Sequence, residues 1–209
     1  MKHEWRKKEK DIYLPPNKPV RVKVPAFKYF TISGAENPND DKFPDYIQVL
    51  YSLAYGVRMS PKKNIAPEGY FEYTVYPLEG VWDISEEAKM NYSGKLDKDT
   101  LVFKLMIRQP DFVDEAYAKF MIEETKKKKP QTLLDEVKFE IIEEGDCIQM
   151  MHIGPYDNEQ QSFDLMEAFA EELGAKRVSK IHREIYFSDP RNTDPEKMKT
   201  LLRFQIQDS

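Results

Sequence analysis

The sequence has one cysteine among its 209 residues, Cys147, so it can build neither a disulfide framework nor a cysteine-based zinc site, and a lone thiol suits a reducing cytosol. Glycine is scarce, eight in all, and no GxGxxG, Walker or GxSxG pattern occurs. That excludes a glycine-rich phosphate cradle and the sharp turn that exposes a hydrolase serine. No apolar run approaches the roughly 18 residues that span a bilayer. The opening stretch, MKHEWRKKEKD, has basic residues with no apolar segment behind them, which is not the form of a signal peptide. A cytoplasmic protein without a membrane partner is expected. Basic excess is also missing: Lys+Arg is 32 against Asp+Glu 37, a net charge of −5, so no overall positive field favours nucleic acid. His3, His152 and His182 show no HxH or HxxxH spacing, and no metal or cofactor is expected.

Aromatic residues are what the chain has in abundance. Twelve Tyr, twelve Phe and two Trp make 12% of a sequence whose mean hydropathy is only −0.70. Amphipathic rings in such a hydrophilic chain either pack small cores or line a site. The one dense basic run, Lys126-Lys127-Lys128-Lys129, is flanked by Glu123, Glu124, Asp135 and Glu136, and reads as a solvated helix end whose lysines suit the negative pole of the helix dipole.

Residues 1–19, with Pro15, Pro16 and Pro19, read as a polar N-terminal arm with little regular structure. From there to residue 209 the chain reads as one domain. Val20 to Ser33 alternates as a strand around Pro25, and Phe43 to Met59 follows as a helix with Tyr46, Leu50, Leu53 and Val57 on one stripe, capped by Asp40 or Asp41. Tyr70 to Pro77 and Thr100 to Ile107 read as strands on either side of a polar excursion, Asp83 to Asp99. Phe112 to Lys127 has helical period, with Phe112, Ala116, Phe120 and Ile122 among its apolar positions. Glu136 to Glu143 and Cys147 to Ile153 read as strands around a Glu144-Gly145-Asp146 turn. Asp157 to Leu173 is a helix carrying Phe163, Met166, Phe169 and Ala170, and Ile181 to Phe187 and Thr200 to Ile206 complete the set as strands. The plan is strand, helix, strand, strand, twice: a first repeat over 20–110, a helix and linker over 111–135, and a second repeat over 136–207. In this register Thr74-Val75-Tyr76 falls where Glu184-Ile185-Tyr186 falls. The expected fold is α+β, two pseudo-twofold-related repeats forming an antiparallel sheet with helices on one face and a ligand cleft between the halves.

The run His152-Ile153-Gly154-Pro155-Tyr156, a helix, and then His182-Arg183-Glu184-Ile185-Tyr186-Phe187-Ser188-Asp189-Pro190-Arg191 resembles the GyrI-like small-molecule-binding family. Stand-alone members of about this length also share Tyr51-Ser52-Leu53-Ala54-Tyr55-Gly56-Val57-Arg58-Met59, Phe103-Lys104-Leu105-Met106-Ile107-Arg108-Gln109-Pro110 and Lys199-Thr200-Leu201-Leu202-Arg203, so the similarity covers about residues 20 to 206. The resemblance implies an aromatic-lined cleft for hydrophobic or cationic small molecules, with Glu184 as its ligand-facing carboxylate. Some stand-alone members hydrolyse the strained cyclopropane ring of DNA-alkylating natural products; others in the family only bind, and some inhibit gyrase by protein contact. Hydrolase, sequestering module and protein-interaction module therefore all stand as readings.

Alternation along IHREIYF puts Ile181, Arg183, Ile185 and Phe187 on a face expected to meet the helices, and His182, Glu184 and Tyr186 on a polar face toward solvent or cleft. In the hydrolytic reading Glu184 is a base and Tyr186 a donor to the electron-accepting carbonyl. Tyr156, after Gly154-Pro155, is a candidate cleft wall, as is Trp82 in its loop. Tyr51 and Tyr55, four apart on the first helix, share a face, and His152 and Met150 complete the candidate ligand contacts. Oligomeric state is not encoded in these patterns, and a monomer is compatible with the internal duplication.

Overall fold

Periodic apolar positions and proline stops become most of the elements in a computed structural model, which describes residues 2–91 and 96–208. In chain order these are α1 (Trp5–Lys8), α2 (Lys10–Tyr13), β1 (Val20–Val24), β2 (Phe27–Gly34), α3 (Phe43–Arg58), β3 (Leu78–Ile84), α4 (Glu86–Met90), β4 (Leu101–Gln109), α5 (Glu115–Lys128), β5 (Lys138–Ile142), β6 (Gly145–Ile153), α6 (Glu159–Glu172), β7 (Ala175–Arg177), β8 (His182–Tyr186) and β9 (Lys199–Asp208). They form two compact units, one of Met1–His3 with Phe27–Ile142 and the other of Glu4–Ala26 with Glu143–Ser209. The fold is α+β, and the strands within each unit's sheet pair antiparallel.

The first unit orders its strands β3-β4-β2-β5. Its register sets Trp82 beside Phe103 and Leu78 beside Ile107, while β2 lays Phe30 beside Ile107 and Ile32 beside Leu105. Against this surface α3 packs the stripe Tyr46, Leu50, Leu53 and Val57, all buried as the period predicts. No side chain caps α3; Lys42 stands at its N-cap, and Asp40 supplies only its carbonyl to the Phe43 N–H. In α5 the buried positions are Ala118, Met121 and Thr125, whereas Phe120, expected in the core, is exposed.

Tyr70 to Pro77 is not a strand: only Tyr73 makes an isolated bridge, and the regular strand is the next segment, β3. Aromatic content explains the difference. Tyr70, Phe71 and Tyr73 bring their rings within 5.9 Å of Phe112, so the segment is held by ring packing rather than by a ladder. The shift also undoes the proposed match of Thr74-Val75-Tyr76 to Glu184-Ile185-Tyr186, because the strand equivalent in order to β8 is β3. Part of the polar excursion, residues 92–95, lies outside the described residues.

The second unit orders its strands β1-β6-β9-β8, with β7 also on β9. The edge strands are drawn differently from the sequence reading. Val20 to Ser33 breaks at Pro25, and β1 joins β6 of the second unit; β5 joins β2 of the first. The Glu144-Gly145-Asp146 turn thus closes no hairpin.

The two faces of the second sheet differ. Residues paired across strands share a face, so the rows Met150, Leu202, Glu184 and His152, Thr200, Tyr186 point the same way. This face meets α6: Ile148, Met150, Leu202 and Phe204 pack with Phe163, Met166 and Ala170. Arg183 and Ile185, expected to meet the helix, face away from it. The N-terminal arm covers that opposite side. It holds two short helices, and its Trp5 and Tyr13 are among the most deeply buried side chains of the chain, with Trp5 stacked 5.8 Å from Phe187. Arg203 and Gln149 donate to the arm's carbonyls at Ile12 and Asp11, at 2.6 and 2.7 Å. The prolines still shape the segment, but buried rings hold it down.

Candidate carboxylate site on the second unit

Three elements of the second unit converge on Glu184. Strand β8 presents His182, Glu184 and Tyr186 on the α6 side. The turn after β6 begins at Gly154, whose φ of +136° belongs to a conformation side chains rarely adopt, and Pro155 then starts the 3-10 turn Tyr156–Asn158 that feeds α6. Glu159 opens α6 and continues, at four- and seven-residue steps, the apolar stripe of Phe163, Met166 and Ala170.

Hydrogen bonds hold the frame. His152 Nε2 donates to the Pro155 carbonyl at 3.1 Å and Nδ1 is hydrogen-bonded to the Ser162 hydroxyl at 2.9 Å, so both ring nitrogens are used. His152 therefore pins the Gly154-Pro155 turn to α6 and is a positioning residue. His182 Nε2 lies 3.1 Å from Glu184 Oε1 and donates to it, while its ring meets Phe163 edge-on at 4.8 Å. The Tyr156 and Tyr186 rings stand nearly perpendicular, 6.2 Å apart.

Two buried glutamates dominate the electrostatics. Glu184 is 9% exposed and Glu159 8%. Burial, then the charges of Glu184 and Asp157, push the Glu159 carboxyl well above its ordinary range, although a helix N-terminus favours the anion. Among the described residues its Oε1 has no hydrogen-bond partner. Burial, with Glu184 next, also pushes the Tyr156 phenol up to about 12. The result is one buried carboxylate hydrogen-bonded to an imidazole, one carboxyl biased toward its protonated form, and two phenols.

The remaining sequence candidates lie in other surroundings. Met150 is part of the packed core under α6. Trp82, expected in a loop, lies on β3 in the first unit, nearly enclosed between Phe43 and Phe103, where it acts as core. Tyr51 and Tyr55 lie side by side on α3, their rings 6.1 Å apart, along a groove between α3 and α5. Glu159 went unread in the sequence because a first-turn acid fits any helix start; the available signal was its place on the apolar stripe. Among the described residues no cluster of three or more His, Cys, Asp or Glu is arranged to hold a metal, and no helix is long and apolar enough to cross a membrane.

The GyrI-like small molecule binding domain matches residues 18–207. The chain belongs to the GyrI-like family. None of the curated proteins compared matches it. Among solved structures, this GyrI-like protein is similar to a hydrolase from Listeria innocua at 36% identity, with a TM-score of 0.90 over 99% of this chain and 100% of that one. A further structure of a hydrolase from the same organism agrees at 35% identity and a TM-score of 0.88, covering 98% and 100%. The EcmrR C-terminal domain, 14% identical with a TM-score of 0.53 over 92% of this chain and 98% of that one, shares the fold alone.

Proposed function

We propose that this GyrI-like protein binds amphipathic electrophiles at Glu184 and hydrolyses those that carry a strained cyclopropane ring conjugated to a carbonyl. The observation that carries the reading is the unequal pair of buried carboxyls, Glu184 paired with His182 and Glu159 biased toward protonation. A site built only to trap cations would keep Glu159 ionised, whereas hydration of an activated ring needs a proton donor beside the base. In the proposed step Glu184 takes a proton from water as the water oxygen bonds to a ring carbon. The ring C–C bond breaks, its electron pair moves to the conjugated carbonyl, and that oxygen takes a proton from Tyr186 or Glu159. Proton exchange with solvent restores both groups, and the net change is addition of one water. Tyr156, 37% exposed, forms the accessible wall against which an aromatic substrate stacks. Similarity to the Listeria hydrolases supports the reaction class.

The test incubates the purified protein with a cyclopropane-bearing electrophile and follows the ring-opened product by chromatography. Glu184→Gln is expected to cut turnover by roughly a hundredfold or more, the scale of a lost general base. Turnover that survives Glu184→Gln overturns the mechanism. Tight binding of a cationic aromatic dye without turnover in the wild type replaces it with a sequestering role.

A further inference from the structure

We propose that the groove between α3 and α5 in the first unit is a binding site for organic anions with an aromatic or alkyl body, a carboxylate, sulfonate or phosphate head seating between Lys63 and Lys128. This open groove has a volume of about 520 Å³, within the range of small-molecule sites. One wall is the Tyr51 and Tyr55 pair; Met59 and Met121 supply adaptable apolar surface. Gly56 lets that surface form, since a Cβ there would meet the Met121 methyl at 3.0 Å. Tyr55 is 54% exposed, so its ring is open to a ligand.

Charge decides what the groove accepts. Lys63, Lys128 and Lys129 line it with a single carboxylate, Glu124, which is already bonded to Lys127 at 2.8 Å. The helix dipole draws lysines to the end of α5, but here they outnumber the available countercharge. Lys63 and Lys128 crowd each other closely enough that the neighbouring ammonium, with burial, holds Lys63 below the usual lysine range. An anion between them removes that repulsion and forms charge-assisted hydrogen bonds to both. The required ligand is opposite in charge to one that Glu184 would attract, so the site stands independently of the proposed hydrolysis.

The test titrates the full chain with 1-anilinonaphthalene-8-sulfonate and with its uncharged counterpart, N-phenyl-1-naphthylamine, by fluorescence. Lys63→Gln/Lys128→Gln is expected to weaken the sulfonate dye about tenfold, the scale of a charge-assisted contact, and the neutral dye less than twofold. Tyr55→Ala weakens both, and Glu184→Gln leaves sulfonate binding unchanged. The lysine and Tyr55 changes are at the surface, Glu184 is buried, and an unaltered thermal melt in each variant shows that the fold is kept. Sulfonate affinity unchanged in the double lysine variant, equal weakening of the two dyes, or loss of sulfonate binding in Glu184→Gln overturns the proposal.

Discussion

The two faces of the second unit's sheet bury the same residue type to opposite ends. On the side covered by the N-terminal arm, Glu144 lies between Arg203 at 2.7 Å and Arg183 at 2.9 Å, and Gln149 fills the rest of the Arg203 fork. Burial alone would raise the Glu144 carboxyl, but the two guanidiniums outweigh it and hold it below its ordinary range. On the α6 side no cation pairs with Glu159 among the described residues, and burial pushes it up. The paired carboxylate is structural. The unpaired one is the group left available for chemistry, which is where perturbed carboxyls gain functional meaning.

The comparison breaks most visibly at its structural end. Glu144→Gln leaves two buried guanidiniums short of a counter-ion and is expected to cost about 3–5 kcal/mol, read as a lowered midpoint in urea unfolding. A loss under 1 kcal/mol would show that this face does not depend on the ion triad. Trp5→Ala tests the same face through packing: it removes the ring between Tyr13 and Phe187, with an expected cost of about 3 kcal/mol. A freely solvated arm would show no change in Tm.

On the other face the effect is smaller and depends on pH. Glu144 has its folded pKa below the ordinary value of 4.5, so its contribution is present above that pH and is lost as pH falls through the folded value. Glu159 has its folded pKa above 4.5, so its contribution is complete below that pH and is lost as pH rises through the folded value. Glu159→Gln is therefore expected to gain Tm on the wild type as pH rises from 4.5 to 8, with parallel behaviour below. A constant difference across that range would remove the distinction between the two glutamates. The smallest expected effect is Ser162→Ala, which deprives His152 Nδ1 of its hydrogen-bond partner. It is expected to cost about 1 kcal/mol and to raise KM with little change in kcat if the Gly154-Pro155 turn positions Tyr156 as a stacking wall. Phe163 packs on as before, so a global loss of fold would contradict this local role.

Much of the architecture was legible from local pattern. The α3 stripe, the α6 stripe and the alternation of β6, β8 and β9 are written at fixed spacing, and the Gly-Pro-Tyr and Glu-Ile-Tyr runs led to the GyrI-like family and to Glu184. The errors share a cause. Tyr70 to Pro77 alternates like a strand, residues 1–19 have the prolines and charges of an arm with little regular structure, and Arg183 alternates with apolar neighbours as if bound for α6. Each judgement concerned which partner covers a surface, and hydrophobic period does not name the partner.

What the sequence by itself determined was therefore the set of elements and the residues that share a face, because backbone geometry forces periods of 3.6 and 2 on any chain. Tertiary structure alone decided that Glu144 meets two arginines, that Glu159 is buried near Glu184, and that Lys63 and Lys128 crowd one groove. Charge in a folded protein takes its meaning from what stands within a few ångströms, and residues far apart in the chain become neighbours only when the sheets are assembled.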